Sequence, residues 1–201
     1  MDEHYHSVHG AVQESEIVFI KNGYHYCNAN PIRIFEAGFG TGLNALLTAI
    51  SCAKEKRHVY YTAAEKYPLS QELTDLLNYP SFTGKAGKSL LKSIHSAAWG
   101  QEAEISEYFH LRKLNCDLTV SVLPGEYDLI YFDAFGPDKQ PELWTKEIFA
   151  GISEKTARNG VLVTYSVKGS VKRILQSFGF SVDLLPGPPG KREVLRAVKN
   201  S

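Results

Sequence analysis

The sequence predicts an α/β fold: a mostly parallel seven-stranded sheet with helices on both faces and an antiparallel hairpin at the C-terminus. Short runs rich in β-branched and aromatic residues alternate with segments of helical periodicity, and this alternation favours parallel strands joined by crossover helices. The last two strand-like runs are separated only by the prolines and glycines of residues 186–190. Because so short a connection cannot hold a crossover helix, these two strands are expected to pair antiparallel.

The individual elements follow from local periodicity. Apolar residues at i, i+3, i+4 and i+7 predict a helix whose buried face is Leu43, Leu46, Leu47 and Ile50. Similar spacing predicts a second helix with Leu69, Leu73, Leu76 and Leu77, and a later one with Val171, Ile174, Leu175 and Phe178. Residues 80–107 show only a short helical stretch near Leu90–Ile94. The predicted strands are residues 33–35, 58–61, 108–114, 129–132, 161–165, 181–185 and 193–198.

Composition narrows the class of protein. With 201 residues, of which 43% are hydrophobic and 22% charged, the chain is predicted to form one domain, residues 1–201, with residues 1–31 as an N-terminal extension. The extension has no signal-peptide pattern, and no apolar run is long enough to cross a membrane. Cys27, Cys52 and Cys116 form neither a disulfide framework nor a CxxC motif. A cytoplasmic protein without a membrane partner is therefore expected.

Charge is balanced overall but unevenly distributed. The 22 Lys and Arg residues equal the 22 Asp and Glu residues, so the protein as a whole has no net charge to attract nucleic acid. Residues 168–201, however, hold seven Lys or Arg and two acidic residues. This basic segment is either a solvated surface or the place where an anionic partner binds.

A glycine-rich turn, EAGFGTG at residues 36–42, lies between the first predicted strand and the first predicted helix. Open α/β sheets bind ligands at this edge. A dinucleotide fingerprint requires glycine at the sixth position, where this chain has Leu43. A phosphate loop at residues 84–89 fails because Phe82 stands where its first glycine is required. What remains is acid-x-Gly-x-Gly-x-Gly, with Glu65 and Asp133 as further acids at predicted strand ends.

This pattern resembles the class I S-adenosylmethionine-dependent methyltransferases, which implies a Rossmann-like fold and S-adenosylmethionine as the cofactor. In that family the glycine turn passes under the cofactor, one acid helps to hold its amino group, and an acid after the second strand accepts the ribose hydroxyls. The resemblance assigns cofactor binding to Glu36, Gly38, Gly40, Gly42 and Glu65, with Asp117 on the adenine amino group. A purely structural tight turn is the alternative.

A longer run narrows the resemblance. Residues 128–144, DLIYFDAFGPDKQPELW, resemble the signature of the tRNA 5-methylaminomethyl-2-thiouridine methyltransferases, which are the methyltransferase half of bifunctional MnmC proteins and their stand-alone MnmD relatives. The segments FEAGFGTGLN (35–44), DEHYHSVHGAVQES (2–15) and KRE (191–193) fit the same family.

This closer resemblance implies a reaction and its partners. A methyl group is expected to pass from S-adenosylmethionine to the aminomethyl nitrogen of a modified wobble uridine in the anticodon loop of tRNA. Bifunctional members also carry a flavin oxidase domain, for which this chain is expected to have no room. Any oxidative step is therefore expected either to belong to a separate flavin-dependent tRNA-modifying protein that acts upstream or not to occur, and no oligomeric state is predicted.

Asp133 is the candidate catalytic residue, because a carboxylate can orient the amine and favour its loss of a proton. Its alternatives are capping a loop or holding the cofactor's methionine. The uridine pocket is expected to be lined by Phe135, Pro137, Trp144 and Tyr165, where rings stack on a splayed base. For each ring, packing in the core is equally open.

Two further groups complete the candidate site. The resemblance places His6, Ser7 and Glu14 in the lid or floor of the uridine pocket. Lys191 and Arg192 are expected to contact tRNA phosphates, unless Glu193 pairs with Arg192 in a structural clasp.

Other functions stay open at this point. The chain could methylate a small-molecule or protein amine, or be a catalytically silent methyltransferase-like module that binds RNA or protein. A dehydrogenase is disfavoured by Leu43. Although His4, His6 and His9 lie close in sequence, no acid or cysteine is placed to complete a zinc site, so no metal is expected.

Overall fold

A computed structural model describes residues 10–200, and its architecture confirms the α/β prediction. Residues 10–24 form helix α1, whose second part is the π-helical segment Glu16–Tyr24. The other helices are α2 (Leu43–Glu55), α3 (Gln71–Asp75), α4 (Pro80–Ser96), α5 (Lys146–Lys155) and α6 (Gly169–Ser177). The strands are β1 (Ile32–Ala37), β2 (Val59–Glu65), β3 (Glu102–Ser106), β4 (Phe109–Asn115), β5 (Tyr127–Phe132), β6 (Thr156–Thr164), β7 (Phe180–Pro186) and β8 (Glu193–Lys199).

The strands form one sheet in the order β3-β4-β2-β1-β5-β6-β8-β7. Strands β4, β2, β1, β5 and β6 run parallel, while β8 lies antiparallel between β6 and β7. The predicted C-terminal hairpin is confirmed, but the predicted count of seven strands is wrong by one. The additional strand, β3, pairs antiparallel with β4 at the sheet edge. Its sequence, EAEIS, contains no apolar run because an edge strand is only partly buried.

Helices cover both faces of the sheet, as the sequence predicts. On one face α1, α2 and α4 share a core that includes Phe19, Leu46 and Ile94. On the other face α5 and α6 pack around Phe149 and Leu175. Because β4, β2, β1 and β5 are parallel, their carboxyl ends meet at one edge. Within residues 10–200 no helix is both long enough and apolar enough to span a membrane.

One predicted helix is shorter and less buried than its leucine spacing indicates. Helix α3 spans only Gln71–Asp75, and the side chains of Leu73 and Leu76 are 52% and 77% exposed. The chain then turns, and a new helix begins at Pro80, where proline suits the first helical position. The predicted helix is therefore present but short, and of its four leucines only Leu77 packs against the core, while Leu69, Leu73 and Leu76 are exposed.

Helix α1 lies directly on the sheet at Gly23. A Cβ atom added there would lie 2.9 Å from Val163 Cγ2 and 3.2 Å from Tyr131 Cε1. The loop that follows α1 is held by the Arg57 guanidinium, which donates to the carbonyl oxygens of Tyr24, Cys27 and Ala29. These contacts fix the helix that carries Glu14 relative to the strand ends.

We predict that Gly23→Ala lowers the free energy of unfolding by about 1–3 kcal/mol, because the added methyl group overpacks the contact of α1 with β5 and β6. Gly151→Ala is the matched control. Gly151 lies inside α5, a Cβ there meets nothing within 4 Å, and alanine is the better helix former by up to about 1 kcal/mol. Urea denaturation followed by circular dichroism measures both variants. Equal stability of the Gly23 variant and the wild type would contradict the close contact.

Candidate active site

The glycine turn joins β1 to α2 at the carboxyl edge of the sheet. Gly38, Gly40 and Gly42 have φ values of +90°, +50° and +72°, which glycine adopts without steric cost. At Gly38 close approach also excludes a side chain, since a Cβ would lie 2.9 Å from Asp133 O. At Gly40 a Cβ would meet nothing within 4 Å. The turn thus packs its backbone against the end of β5 and leaves an open surface at Gly40.

Glu65 ends β2 beside this turn, and two backbone N–H groups hold its carboxylate. Gly40 N donates to Glu65 Oε2 at 3.0 Å, and Tyr67 N donates to Glu65 Oε1 at 2.9 Å. Each oxygen can accept a further hydrogen bond, because a carboxylate oxygen has two acceptor sites. The result is a fixed, partly exposed pair of acceptors at the mouth of the turn.

Asn44, in the first turn of α2, links two acids across the end of the sheet. Its side-chain Nδ2 donates to Glu36 Oε1 and to Asp133 Oδ2, both at 2.8 Å. Glu36 and Asn44 are 1% and 3% exposed, whereas Asp133 is only partly buried. Sequence reasoning did not single out Asn44, although a polar residue at the start of a buried helix was the available signal.

Burial raises the pKa of both acids. The pKa of Glu36 lies well above its ordinary value because of burial, which the hydrogen bond from Asn44 only partly offsets, and the charge of Asp133 raises it further. Burial also raises the pKa of Asp133 to about 7. The hydrogen bond from Asn44 and the charge of Lys191 lower the pKa of Asp133, while the charge of Glu14 raises it. Asp133 is therefore a carboxyl group able to exchange a proton near neutral pH.

Three side chains from separate elements meet beside Asp133. Lys191 Nζ lies 2.7 Å from Glu14 Oε1 and 4.4 Å from the centroid of the Tyr165 ring. The Tyr165 hydroxyl donates to Ala134 O at 2.7 Å. Glu14 and Tyr165 hold the ammonium group of Lys191 in this arrangement, and a contact of Lys191 with tRNA phosphate stays a prediction.

The residues predicted to line the uridine pocket differ in exposure along the loop after β5. Phe135 is 72% exposed, and Pro137 follows it in the same loop, partly buried. Trp144, in contrast, is 7% exposed; its ring packs on Phe132 with centroids 4.8 Å apart, and its Nε1 donates to Phe135 O at 2.7 Å. The expectation that Trp144 stacks on a base is therefore corrected: it packs in the core and holds the loop that presents Phe135.

Asp117 lies at the same sheet edge as Glu65, since Cys116 N donates to Glu65 O at 3.1 Å. Its carboxylate is engaged by Lys66 Nζ at 2.8 Å and by Thr119, and the hydrogen bond from Lys66 is the main cause that lowers the pKa of Asp117 to about 2. An adenine contact at Asp117 stays a prediction.

The remaining candidates divide between the surface and the undescribed terminus. Arg192 is exposed, and within residues 10–200 no ion pair joins it to Glu193. His6 and Ser7 lie outside the described residues, as do His4 and His9. Among residues 10–200, no three His, Cys, Asp or Glu side chains are grouped to hold a metal ion.

A second layer behind the glycine turn was not predicted. Thr41 hydrogen-bonds Tyr79 through its hydroxyl at 2.9 Å, and its carbonyl accepts from His95 Nε2 at 3.1 Å. Lys113 Nζ donates to His95 O at 2.9 Å, at the C-terminal end of α4, where a cation is favourable. Lys113 is 1% exposed, and burial lowers its pKa to about 8. These side chains brace the turn from beneath.

A family described as S-adenosyl-L-methionine-dependent methyltransferases matches residues 83–200 of this chain, which is more than half of it. The chain belongs to this methyltransferase family. S-adenosylmethionine is accordingly its cofactor, and the predicted cofactor is confirmed.

Curated relatives share much of the sequence of this methyltransferase. The tRNA 5-methylaminomethyl-2-thiouridine biosynthesis bifunctional protein MnmC of Magnetococcus marinus is 32% identical over 98% of this chain and 31% of its own length. The protein of that name from Campylobacter hominis is 30% identical over 85% of this chain and 26% of its own length. The chain thus spans about a third or less of the length of these relatives.

Solved structures share the fold. MnmC2 from Aquifex aeolicus matches with a TM-score of 0.74 and 26% identity over 95% of this chain and 61% of that chain. The N-methyltransferase NodS from Bradyrhizobium japonicum matches with a TM-score of 0.53 and 12% identity over 95% of both chains.

The described residues fit the cofactor. The carboxylate of Glu65, held by two backbone N–H groups, suits a ribose diol, and Gly40 leaves open space beside it. Glu36 Oε2 is buried without a hydrogen-bond partner among residues 10–200, so the acid has unused polar capacity. Direct contact of Glu36 with the cofactor's amino group stays a prediction. Through Asn44, Glu36 is also linked to Asp133.

We predict that Glu65→Gln weakens the binding of S-adenosylhomocysteine by about 1.5–3 kcal/mol, since the diol loses a charged acceptor and the Gly40 N–H loses a strong one. Glu72→Gln, an exposed position on α3, is the control for charge alone. Isothermal titration calorimetry on both folded variants measures the effect. Unchanged affinity in the Glu65 variant would remove this residue from the cofactor site.

The stability of the protein is expected to depend on pH through Asp133. The ordinary pKa of Asp133 is 3.8 and its folded-state pKa is about 7, so between these values the folded protein retains a proton that the unfolded chain has lost. The stability contributed by this protonation is present at low pH and is lost as the pH rises to about 7.

Asp133→Asn cannot titrate, so we predict that its stability relative to the wild type increases over this window by at most roughly 1.4 kcal/mol per pH unit, and levels off above it. Asp183→Asn, on the exposed side of β7, is the control. Urea denaturation at pH 4.5, 6 and 7.5 gives the comparison. Stability curves for D133N and wild type that stay parallel across these values would exclude the raised pKa.

Proposed function

We propose that this methyltransferase transfers a methyl group to the aminomethyl nitrogen of a modified wobble uridine in the anticodon loop of tRNA. The main support for this proposal is the position of Asp133, which Asn44 holds at the carboxyl end of β5 beside the glycine turn. Asp133 is a carboxyl group with a pKa near 7 that can bind an amine and accept its proton. The names of the MnmC relatives, which refer to 5-methylaminomethyl-2-thiouridine in tRNA, support the identity of that amine.

The reaction needs positioning more than covalent chemistry. When bound, S-adenosylmethionine supplies an electrophilic methyl group, and the amine lone pair forms the C–N bond as the C–S bond breaks. An alkylamine is mostly protonated at neutral pH, so the nitrogen must first lose a proton. Asp133 orients the amine and takes that proton, while Asn44 keeps the carboxyl group in place through Oδ2. Glu36 fixes Asn44 from behind.

Recognition of tRNA falls to local groups, because the chain has no net charge. Phe135 offers an exposed ring on which an unstacked base can stack. Exposed cations in the C-terminal part of the chain, Lys168, Arg173 and Arg192, are candidates for phosphate contacts. An aminomethyl uridine must be made by a preceding reaction, which we assign to a separate flavin-dependent protein. We also propose that the protein acts in the cytoplasm, where it would meet a tRNA substrate.

The second candidate function is methylation of a small-molecule or protein amine. The zero net charge of the chain favours this function, since an uncharged or cationic substrate does not require a positively charged protein, whereas tRNA is a polyanion. The amine-binding chemistry at Asp133 is the same in both cases, so the identity of the substrate decides between them.

The test uses tRNA from a strain that lacks this gene, incubated with the protein and S-adenosylmethionine, followed by mass spectrometry of nucleosides. We expect a mass gain of one methyl group on a 5-aminomethyl uridine. We expect Asp133→Asn to reduce kcat by about 10²- to 10⁴-fold, with S-adenosylhomocysteine affinity unchanged. Asp183→Asn is the control and retains full activity.

Two results would contradict the proposal. Methylation of free alkylamines with tRNA left unmodified would favour the second candidate. A parallel loss of cofactor affinity and turnover in the Asp133 variant would make this residue a cofactor ligand instead of the group that orients the amine.

A further inference from the structure

The ammonium group of Lys191 occupies a small binding site beside Asp133. Lys191 lies in the loop between β7 and β8, and its Nζ reaches across to α1, where Glu14 Oε1 is 2.7 Å away. The same Nζ lies 4.4 Å from the centroid of the Tyr165 ring. The side chains of Lys191 and Glu14 are 33% and 36% exposed, so solvent still reaches the pair. We call Glu14 and Tyr165 the ammonium cage.

The cage has the chemistry of an ammonium receptor. A carboxylate supplies the counter-charge and hydrogen-bond acceptors, while an aromatic face attracts a cation within about 6 Å of its centroid. The Tyr165 ring is fixed because its hydroxyl donates to Ala134 O, next to Asp133. Electrostatic coupling of Asp133 to both Glu14 and Lys191 places the cation near the group that handles the substrate's proton.

Lysine presents the same terminal group as the proposed substrate, a CH₂–NH₃⁺ on a flexible or exocyclic carbon. We propose that the ammonium cage is the subsite that first receives the substrate's protonated aminomethyl group, before the amine moves to Asp133, and that Lys191 occupies the cage until the substrate displaces it. The inference rests on the proposed function for the identity of the substrate. The contacts of Glu14 and Tyr165 with the Lys191 ammonium group do not depend on tRNA.

An ion pair that only ties α1 to the β7–β8 loop is the competing explanation. Exposed ion pairs of this kind contribute about 0–1 kcal/mol to stability. That explanation requires no aromatic ring under the cation and no adjacent carboxyl group with a raised pKa. It also predicts that a variant without Lys191 leaves Glu14 unpaired and does not bind small cations there.

The experiment measures binding of n-propylammonium chloride by chemical-shift changes in ¹H–¹⁵N spectra. If Lys191 fills the cage most of the time, the wild type binds the probe weakly, because only the open fraction is competent. We expect Lys191→Met to bind it at least tenfold more tightly, with shifts centred on Glu14, Tyr165 and Asp133. The double variant Lys191→Met with Glu14→Gln is expected to lose this gain.

Lys168→Met is the matched control, since Lys168 forms an exposed ion pair with Asp138 but, within residues 10–200, has no aromatic ring against its ammonium group. It is expected to bind the probe no better than the wild type. Lys191→Gln repeats the test should the methionine variant fail to fold. Absence of any gain in probe binding in the folded Lys191 variants would overturn the inference, as would an equal gain in Lys168→Met.

A parallel assay keeps this result separate from the proposed function. With tRNA as substrate, Lys191→Met is expected to lower KM severalfold and Glu14→Gln to raise it at least tenfold. Probe binding that follows the expected pattern, in a protein that does not methylate tRNA, would support the cage and reject only the proposed substrate. A raised KM for tRNA in Lys191→Met would instead show that Lys191 binds the substrate directly, and would overturn its role as the displaced occupant.

Discussion

The side-chain amide of Asn44 joins two acids that would otherwise repel each other at the end of the sheet. Strands β1 and β5 are parallel neighbours, so Glu36 and Asp133 emerge close together at the same edge. Burial raises the pKa of each acid, which reduces their charge, and the two N–H groups of Asn44 satisfy one oxygen of each. The candidate catalytic carboxyl group therefore depends on a residue that contacts neither cofactor nor substrate in our account.

The two sides of the site are built by different means. Backbone groups shape the cofactor side: the glycine turn, the N–H groups that hold Glu65, and the layer of Tyr79, His95 and Lys113 beneath the turn. Long side chains from α1, the segment directly after β6 and the β7–β8 loop shape the substrate side. The cofactor side thus rests on backbone hydrogen bonds, and the substrate side on partly exposed side chains.

Local patterns made part of this account predictable. The glycine turn, Glu65 and Asp133 each follow a strand, and parallel strands bring such positions together without knowledge of tertiary contacts. The partnership of Glu14 with Lys191 joins residues far apart in sequence and could not be read from spacing. Lys113 occupies a buried position of β4 that alternation assigns to apolar residues, and Trp144 lies in a motif but packs in the core. The sequence did not predict strand β3 or the shortness of helix α3, because edge strands and surface helices carry no reliable apolar periodicity.

The central claim is that Asn44 holds Asp133 where it meets the substrate's amine. A crystal structure of the protein with S-adenosylhomocysteine and a 5-aminomethyluridine nucleotide measures this most directly. The account predicts that the amine nitrogen lies within hydrogen-bond distance of Asp133 while Asn44 keeps its bonds to both Glu36 and Asp133. An amine nitrogen bound elsewhere, or an Asn44 side chain that releases Asp133 when the ligands bind, would contradict it.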